Sequence, residues 1–156
     1  MTARGWTIRP VRPDDAPLLH RMREEAGWDV EKVPAWITAS LSGERPTWVA
    51  ELEGEAVGMV SLERVDADPE VADGHGVAAV TSLSVLESAG RRGIGRALTV
   101  FAEEQARART VRVLTLNTRP TNAAAIALYE GLGYRRWKQE TRPWGLAVFL
   151  RKSLAE

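Results

Sequence analysis

Hydrophobic and polar positions alternate in short runs along this chain, in the pattern that is typical of β-strands. Seven such runs are bounded by turn-forming residues, and we predict strands at residues 6–11, 47–52, 56–64, 76–86, 111–116, 135–140 and 146–151. Glu53-Gly54-Glu55 joins the second and third runs and is a hairpin signal. Pro143-Trp144-Gly145 predicts a turn between the last two.

Four other segments repeat their apolar residues at helical spacing. We expect Asp14 or Asp15 to cap the first helix and residues 32–41 to form the second. The third helix begins within residues 91–98, and its apolar positions are Ile94, Ala97, Leu98, Phe101 and Ala108. The fourth occupies residues 122–133, with Asn122 as its N-cap and glycines at its end.

The order of these elements predicts an α/β (α+β) protein with a mixed sheet and helices on both faces. An acidic loop at residues 65–75 separates the hairpin from the fourth strand. The length of 156 residues suits one sizeable core, so we expect a single domain over residues 1–156.

Composition excludes several classes of function. The chain has no cysteine, hence no disulfide framework, thiol nucleophile or cysteine metal site, and its two histidines are too few for a histidine metal cluster. We therefore expect no metal. No apolar run approaches transmembrane length and the first residues lack a signal-peptide pattern, so we expect a cytoplasmic protein without a membrane partner.

The net charge of zero hides a strong asymmetry. Residues 1–90 carry 16 acidic and 8 basic side chains, a balance of −8, whereas residues 91–156 carry 5 acidic and 13 basic ones, a balance of +8. The basic half suits an anionic cofactor, and the acidic half could attract an amine. Solvated charged surfaces explain the same numbers without a ligand. We expect no nucleic-acid partner, because the arginines of the basic half cluster at a single turn, and a small anionic ligand explains that cluster better.

That turn is the run Arg91-Arg92-Gly93-Ile94-Gly95-Arg96-Ala97-Leu98, between a strand and a helix. Glycines allow close approach of a ligand to the backbone, and a helix N-terminus favours negative charge, so a phosphate or pyrophosphate is the natural ligand. A P-loop would need Lys-Ser or Lys-Thr after Gly95. A dinucleotide fingerprint would need Gly or Ala at Leu98 and an acidic residue about 20 positions later, and the chain has neither.

Three motifs in this order make the chain similar to the GCN5-related N-acetyltransferase (GNAT) superfamily. They are the strand motif Leu83-Ser84-Val85, the arginine-rich glycine turn, and the helix motif Asn122…Ala125…Leu128-Tyr129…Gly133-Tyr134. The resemblance is strong over residues 76–137. It implies a GNAT-like fold with a central, mostly antiparallel sheet of about seven strands, and an enzyme that uses acetyl-CoA.

The resemblance also implies the residues that bind the cofactor. The strand splays from its neighbour and offers backbone groups to the pantetheine arm, while the turn holds the pyrophosphate and Asn122 contacts the arm. The implied cofactor-binding residues are Leu83, Ser84, Val85, Arg91, Arg92, Gly93, Ile94, Gly95, Arg96, Ala97 and Asn122. Family members usually carry Gln or Arg at Gly90 and often Pro near Glu87, and this chain departs from both patterns.

Tyr129 is the candidate catalytic acid. Attack of an amine on a thioester expels a thiolate, and a phenol can donate a proton to it as the negative charge develops. A core tyrosine at helical spacing is the structural alternative. A backbone N–H near Val85 is the implied donor to the oxyanion.

The general base and the acceptor are left open by the sequence. Some relatives place Glu where this chain has Asn117, and an amide cannot act as a base. Glu63, Asp66 and His75 are alternatives. Trp28, Trp36, Trp137 and Trp144 could form aromatic walls for an organic cation.

We therefore expect a small-molecule amine as acceptor, and a homodimer is possible within the family. A peptide amine acceptor, a non-catalytic acyl-CoA sensor and a phosphate or nucleotide-binding protein are the alternatives.

Overall fold

The computed structural model describes residues 5–25, 27, 31–90 and 92–154. Its seven strands are β1 (Trp6–Pro10), β2 (Thr47–Leu52), β3 (Glu55–Glu63), β4 (Val77–Val85), β5 (Val113–Thr118), β6 (Arg135–Arg142) and β7 (Gly145–Ser153). Its four α-helices are α1 (Ala16–Glu25), α2 (Val33–Leu41), α3 (Ile94–Ala108) and α4 (Ala123–Gly131). Each of the predicted strands and helices is therefore present, with ends shifted by a few residues.

The strands form one mixed sheet in the order β1-β2-β3-β4-β5-β7-β6. β4 and β5 pair in parallel, whereas β1 with β2, β2 with β3, β5 with β7 and β6 with β7 are antiparallel. The predicted fold class, a mixed and mostly antiparallel sheet of about seven strands, is confirmed.

Contacts between Cα atoms divide the chain into two compact units. The first comprises residues 1–63 and 82–102, and its described core includes Leu19, Met22, Met59, Leu62, Leu86, Ile94 and Leu98, all nearly inaccessible to solvent. Trp48 packs edge-on against Phe101, with ring centroids 5.4 Å apart. The hairpin between β2 and β3 turns at Glu53 and Gly54, whose positive φ values of 51° and 85° match the primed turns that suit twisted strands.

The N-terminus of α1 differs from the prediction that Asp14 or Asp15 caps it. A short 3₁₀ turn, Pro13–Asp15, precedes the helix and follows Arg12. The Asp15 carboxylate accepts from the Arg12 N–H at 2.7 Å, and Arg9 donates to both of its oxygens, at 2.9 and 2.8 Å. Asp15 directly precedes Ala16, the first residue of α1, but its carboxylate reaches back across the 3₁₀ turn to the Arg12 N–H and to Arg9.

The second unit comprises residues 64–81 and 103–156. Its described core includes Leu114, Leu116, Tyr134, Ala147, Phe149 and Leu150. The acidic loop packs on it through Val71 and Ala72, and the Val71 carbonyl accepts from the buried Thr115 hydroxyl at 2.7 Å. Lys138 binds the same loop through Asp68 at 2.7 Å. None of the described helices is long and apolar enough to cross a membrane.

Candidate active site

The glycine turn of the first unit leads directly into α3. Gly93 has a φ of 78°, a left-handed conformation that favours glycine, and the helix begins at Ile94. The first helical hydrogen bond runs from the Ala97 N–H to the Gly93 carbonyl, at 3.0 Å. The N–H groups of Ile94, Gly95 and Arg96 precede it, so the helix offers them no acceptor. With the positive end of the helix dipole, they form a site suited to an anion.

Gly95 has no side chain although its protein surroundings would accommodate one. A Cβ built there lies 3.9 Å from the nearest described atom outside the adjoining backbone, Cγ2 of Val85, which is an ordinary van der Waals distance. Its φ is not among the positive ones. Steric crowding within the described chain therefore does not require glycine at this position, and the bare backbone is open to close approach by a ligand.

The strand before the turn has an irregular backbone conformation that the sequence did not predict. Ser82 has a φ of 55°, which is unusual for a non-glycine residue in a strand. Its hydroxyl accepts a hydrogen bond from Nη2 of Arg45 at 3.0 Å. Leu83, Ser84 and Val85 follow and are all half-buried.

This strand segment and α3 are brought together in the first unit by Gly58 of β3. A Cβ at Gly58 would lie 3.1 Å from a Leu98 side-chain carbon and 3.3 Å from the Ser84 carbonyl oxygen. Such contacts are tighter than most real Cβ contacts, so the absence of a side chain permits this close packing. Arg92 and Arg96 are exposed. Arg91 lies outside the described residues.

In the second unit, β4 and β5 share only a short parallel ladder. It pairs Val77 with Val113 and ends with the pair of Ala79 and Thr115. Both strands continue beyond that pair, β4 to Val85 and β5 to Thr118.

The predicted N-cap of α4 is confirmed. The side-chain oxygen of Asn122 accepts from the Ala125 N–H at 3.2 Å, and its amide nitrogen donates to the Thr118 hydroxyl at 3.2 Å. The capping bond satisfies a donor that the helix cannot satisfy itself. Asn122 therefore has a structural role that is independent of any cofactor.

Tyr129 and Tyr134 differ in what their hydroxyl groups do. Both side chains are buried, and their rings lie edge-to-face with centroids 6.2 Å apart. The Tyr134 hydroxyl donates to a Glu103 carboxylate oxygen at 2.9 Å, whereas the Tyr129 hydroxyl makes no hydrogen bond to any described residue. Burial raises the pKa of Tyr129 to about 12, so its proton stays in place at neutral pH. Of the two phenols, only Tyr129 has a proton uncommitted to a described protein acceptor.

The Glu103 carboxylate is a feature that sequence reasoning missed. It is 4% exposed, and its second oxygen accepts from the Lys152 ammonium at 3.0 Å. Burial and the neighbouring carboxylate both raise the pKa of Tyr134 far above its ordinary value. The available signal was spacing, because Glu103 follows the buried Thr99 by four residues and precedes the buried Ala106 by three.

The candidate bases occupy dissimilar surroundings. Glu63 ends β3 and lies 3.9 Å from the Arg45 guanidinium. The Asp66 carboxylate accepts from the Asp68 N–H at 2.9 Å, and His75 is exposed. These contacts single out none of the three as the base.

The tryptophans expected to bind an organic cation already contact cations of the chain itself. Trp36 has the Arg23 and Arg45 guanidiniums 4.0 and 4.3 Å from its ring centroid, and Trp144 has Arg119 at 5.2 Å. Trp137 likewise contacts Lys138 and Arg151, at 4.9 and 4.8 Å. Trp28 lies outside the described residues. These rings therefore give no support to a cationic acceptor.

Comparison with known proteins decides the family. A model described as the acetyltransferase (GNAT) family matches residues 15–134. The chain belongs to the GNAT family. The resemblance recognised in the sequence is thus confirmed over most of the chain.

Individual GNAT relatives agree with this assignment. A mycothiol acetyltransferase from Acidothermus cellulolyticus is 32% identical over 145 residues, covering 84% of this chain and 44% of that protein. The chain thus spans less than half the length of the curated relatives it matches.

Two solved structures resemble this GNAT chain closely in fold. The ribosomal-protein-alanine N-acetyltransferase of Brucella melitensis has a TM-score of 0.81 and 26% identity, covering 94% of this chain and 99% of its own. The yncA protein of Salmonella typhimurium, solved with its cofactor acetyl-CoA, has a TM-score of 0.81 and 21% identity, covering 97% and 95%. The predicted GNAT-like fold is confirmed, and the roles of individual site residues stay predictions.

Proposed function

We propose that this protein transfers an acetyl group from acetyl-CoA to the primary amine of a small molecule. Membership of an acetyltransferase family supports the reaction class. A likeness in fold to a protein solved with acetyl-CoA supports the cosubstrate. The observation that carries the proposal for this chain is the hydroxyl of the buried Tyr129 side chain, which holds its proton and makes no hydrogen bond to any described residue.

The glycine turn is the proposed site for the pyrophosphate of acetyl-CoA. Support comes from the donor groups of Ile94, Gly95 and Arg96 at the start of α3 and from the absent side chain at Gly95. Backbone groups of Leu83, Ser84 and Val85 are proposed to bind the pantetheine arm. The remaining proposed contacts are Arg91, Arg92, Gly93, Ala97 and Asn122.

The proposed reaction is direct attack in a ternary complex. The amine nitrogen, after losing a proton, forms a bond to the thioester carbonyl carbon, and the negative charge develops on the carbonyl oxygen. A backbone N–H near Val85 is the proposed donor to that oxyanion. Collapse breaks the carbon–sulfur bond, and the Tyr129 hydroxyl gives its proton to the departing sulfur. The nitrogen then loses its second proton, and a proton returned through solvent restores the Tyr129 hydroxyl. The products are an amide and free coenzyme A.

A peptide amine is the second candidate acceptor. Support for a peptide comes from the ribosomal-protein-alanine N-acetyltransferase, which is 26% identical to this chain. The match covers 94% of this chain and 99% of that protein. Support for a small-molecule acceptor comes from the relatives that are named mycothiol acetyltransferases. We keep the small-molecule amine as the proposal and make the peptide an arm of the test.

The absence of cysteine makes the test direct. Coenzyme A release can be followed with a thiol-reactive dye, because the chain itself has no thiol to react. The acceptor panel contains small amines and amino-terminal peptides, and mass spectrometry identifies the product. Turnover with small amines supports the proposal, and turnover with peptides alone replaces it by the second candidate. Tight acetyl-CoA binding without turnover on either set would support a non-catalytic sensor instead.

A further inference from the structure

Two arginines stand directly opposite each other at one end of the second unit's sheet. Arg135, the first residue of β6, is the register partner of Arg151 in β7. Both side chains are exposed. Like charges at directly opposite positions of an antiparallel pair destabilise it, so this arrangement has a cost in the isolated chain.

Among the described residues, no acidic group pairs with either arginine to offset this repulsion. Neither guanidinium makes a hydrogen bond or ion pair with any described residue, although other arginines of the unit do: Arg136, next to Arg135, pairs with Glu130 at 3.1 Å. Within the described part of the chain, the Arg151 guanidinium stacks on an aromatic ring, with its central carbon 4.8 Å from the Trp137 centroid. That contact orients a cation without neutralising it.

The two arginines line a groove with a volume of about 470 Å³. The other lining residues are Val113, Gly133, Lys152 and Ser153. The Lys152 ammonium is bound to Glu103, so Arg135 and Arg151 supply the groove's uncommitted charge. The groove is open to solvent, so it could hold a small group at the protein surface.

We propose that this groove binds a phosphoryl group of a small molecule. Planar guanidiniums present pairs of N–H donors that match phosphate oxygens, and two of them can balance a dianion. The bound dianion would also remove the repulsion across β6 and β7. This site belongs to the second unit, uses none of the residues proposed for acetyl transfer, and does not depend on that function.

The test is a titration of the full chain with inorganic phosphate and pyrophosphate, followed by NMR of arginine side-chain N–H groups. Arg135→Gln and Arg151→Gln each remove one guanidinium, and Arg136→Gln is the matched control, because it removes the same charge from the adjacent position. Arg96→Ala, in the proposed pyrophosphate turn, separates binding there from binding at the groove. We expect either groove variant to weaken phosphate binding about tenfold and Arg136→Gln to change it by less than about twofold.

Thermal unfolding provides the second readout. Without phosphate, Arg135→Gln should unfold at the same temperature as the parent chain or higher, because a repulsion is removed. With phosphate, the parent chain and Arg136→Gln should both gain stability, and Arg135→Gln should gain much less. Equal weakening in Arg136→Gln, loss of binding in Arg96→Ala only, or binding of a single-stranded oligonucleotide without binding of either phosphate would overturn the proposal.

Discussion

Replacing Tyr129 by phenylalanine removes one oxygen atom and should separate catalysis from stability. The hydroxyl has no hydrogen-bond partner among the described residues, and the ring would keep its edge-to-face contact with Tyr134. We therefore expect the free energy of unfolding to change by less than about 1 kcal/mol. The proton for the departing thiolate would be lost, however, so kcat should fall by about 10²–10⁴.

Tyr134→Phe is the matched control, since it removes the same atom from the neighbouring ring. Its hydroxyl donates to a buried carboxylate at 2.9 Å, and a hydrogen bond to a charged group contributes about 1.5–3 kcal/mol. We expect this variant to lose stability of that order. Its turnover at a temperature where it stays folded should remain within about threefold of the parent value, far from the loss expected of an absent catalytic acid.

Thiol release measures kcat and KM for acetyl-CoA, and urea unfolding measures stability. Below its pKa of about 12, Tyr129 is protonated and competent as an acid, so its ionisation should not reduce kcat between pH 7 and 10. A decline of kcat centred near pH 10 that disappears in Tyr129→Phe would contradict the raised pKa. Unchanged kcat in Tyr129→Phe, or a larger loss of kcat in Tyr134→Phe, would refute the assignment of the acid.

Three further predictions concern packing, capping and pH. Gly58→Ala places a Cβ 3.1 Å from a Leu98 carbon, so it should cost about 1–3 kcal/mol in urea unfolding and weaken acetyl-CoA binding; parent-like values of both would contradict the packing argument. Asn122→Ala removes the cap of α4 and should cost about 1 kcal/mol, measured by thermal unfolding, and an undiminished melting temperature would show that the cap contributes nothing. For Asp15, burial raises the pKa, but hydrogen bonds from Arg9 and the Arg12 backbone outweigh it, so the net pKa is below 3.8. Its stabilisation is complete above about pH 4 and is lost as the pH falls through the lowered pKa; Arg9→Met should flatten this acid dependence of the melting temperature, and an unchanged slope would count against the pairing.

Local signals in the sequence predicted the elements well. β2 has the predicted bounds, the hairpin turns at Glu53 and Gly54, and Asn122 caps α4. These features depend on residues within a few positions of one another. The family motifs added the fold, because they fix the order and spacing of strand, turn and helix.

Local sequence patterns did not predict features that depend on residues far apart in the chain. The predicted start of β5 was Val111, an apolar residue that is buried but precedes the strand. The strand begins two residues later at Val113, where pairing with Val77 begins. Ala108 was expected on the apolar face of α3 and is exposed at its C-terminal end. The bond between Glu103 and Lys152 joins residues 49 positions apart, and no local pattern predicts such a partner.

A calorimetric titration with acetyl-CoA, repeated with ATP and NAD, tests the central claim most directly. We predict one-to-one binding of acetyl-CoA through the turn at Gly93 and Gly95, and much weaker or undetectable binding of the two nucleotides. Absence of acetyl-CoA binding would leave the GNAT fold intact and contradict the proposed acetyl transfer.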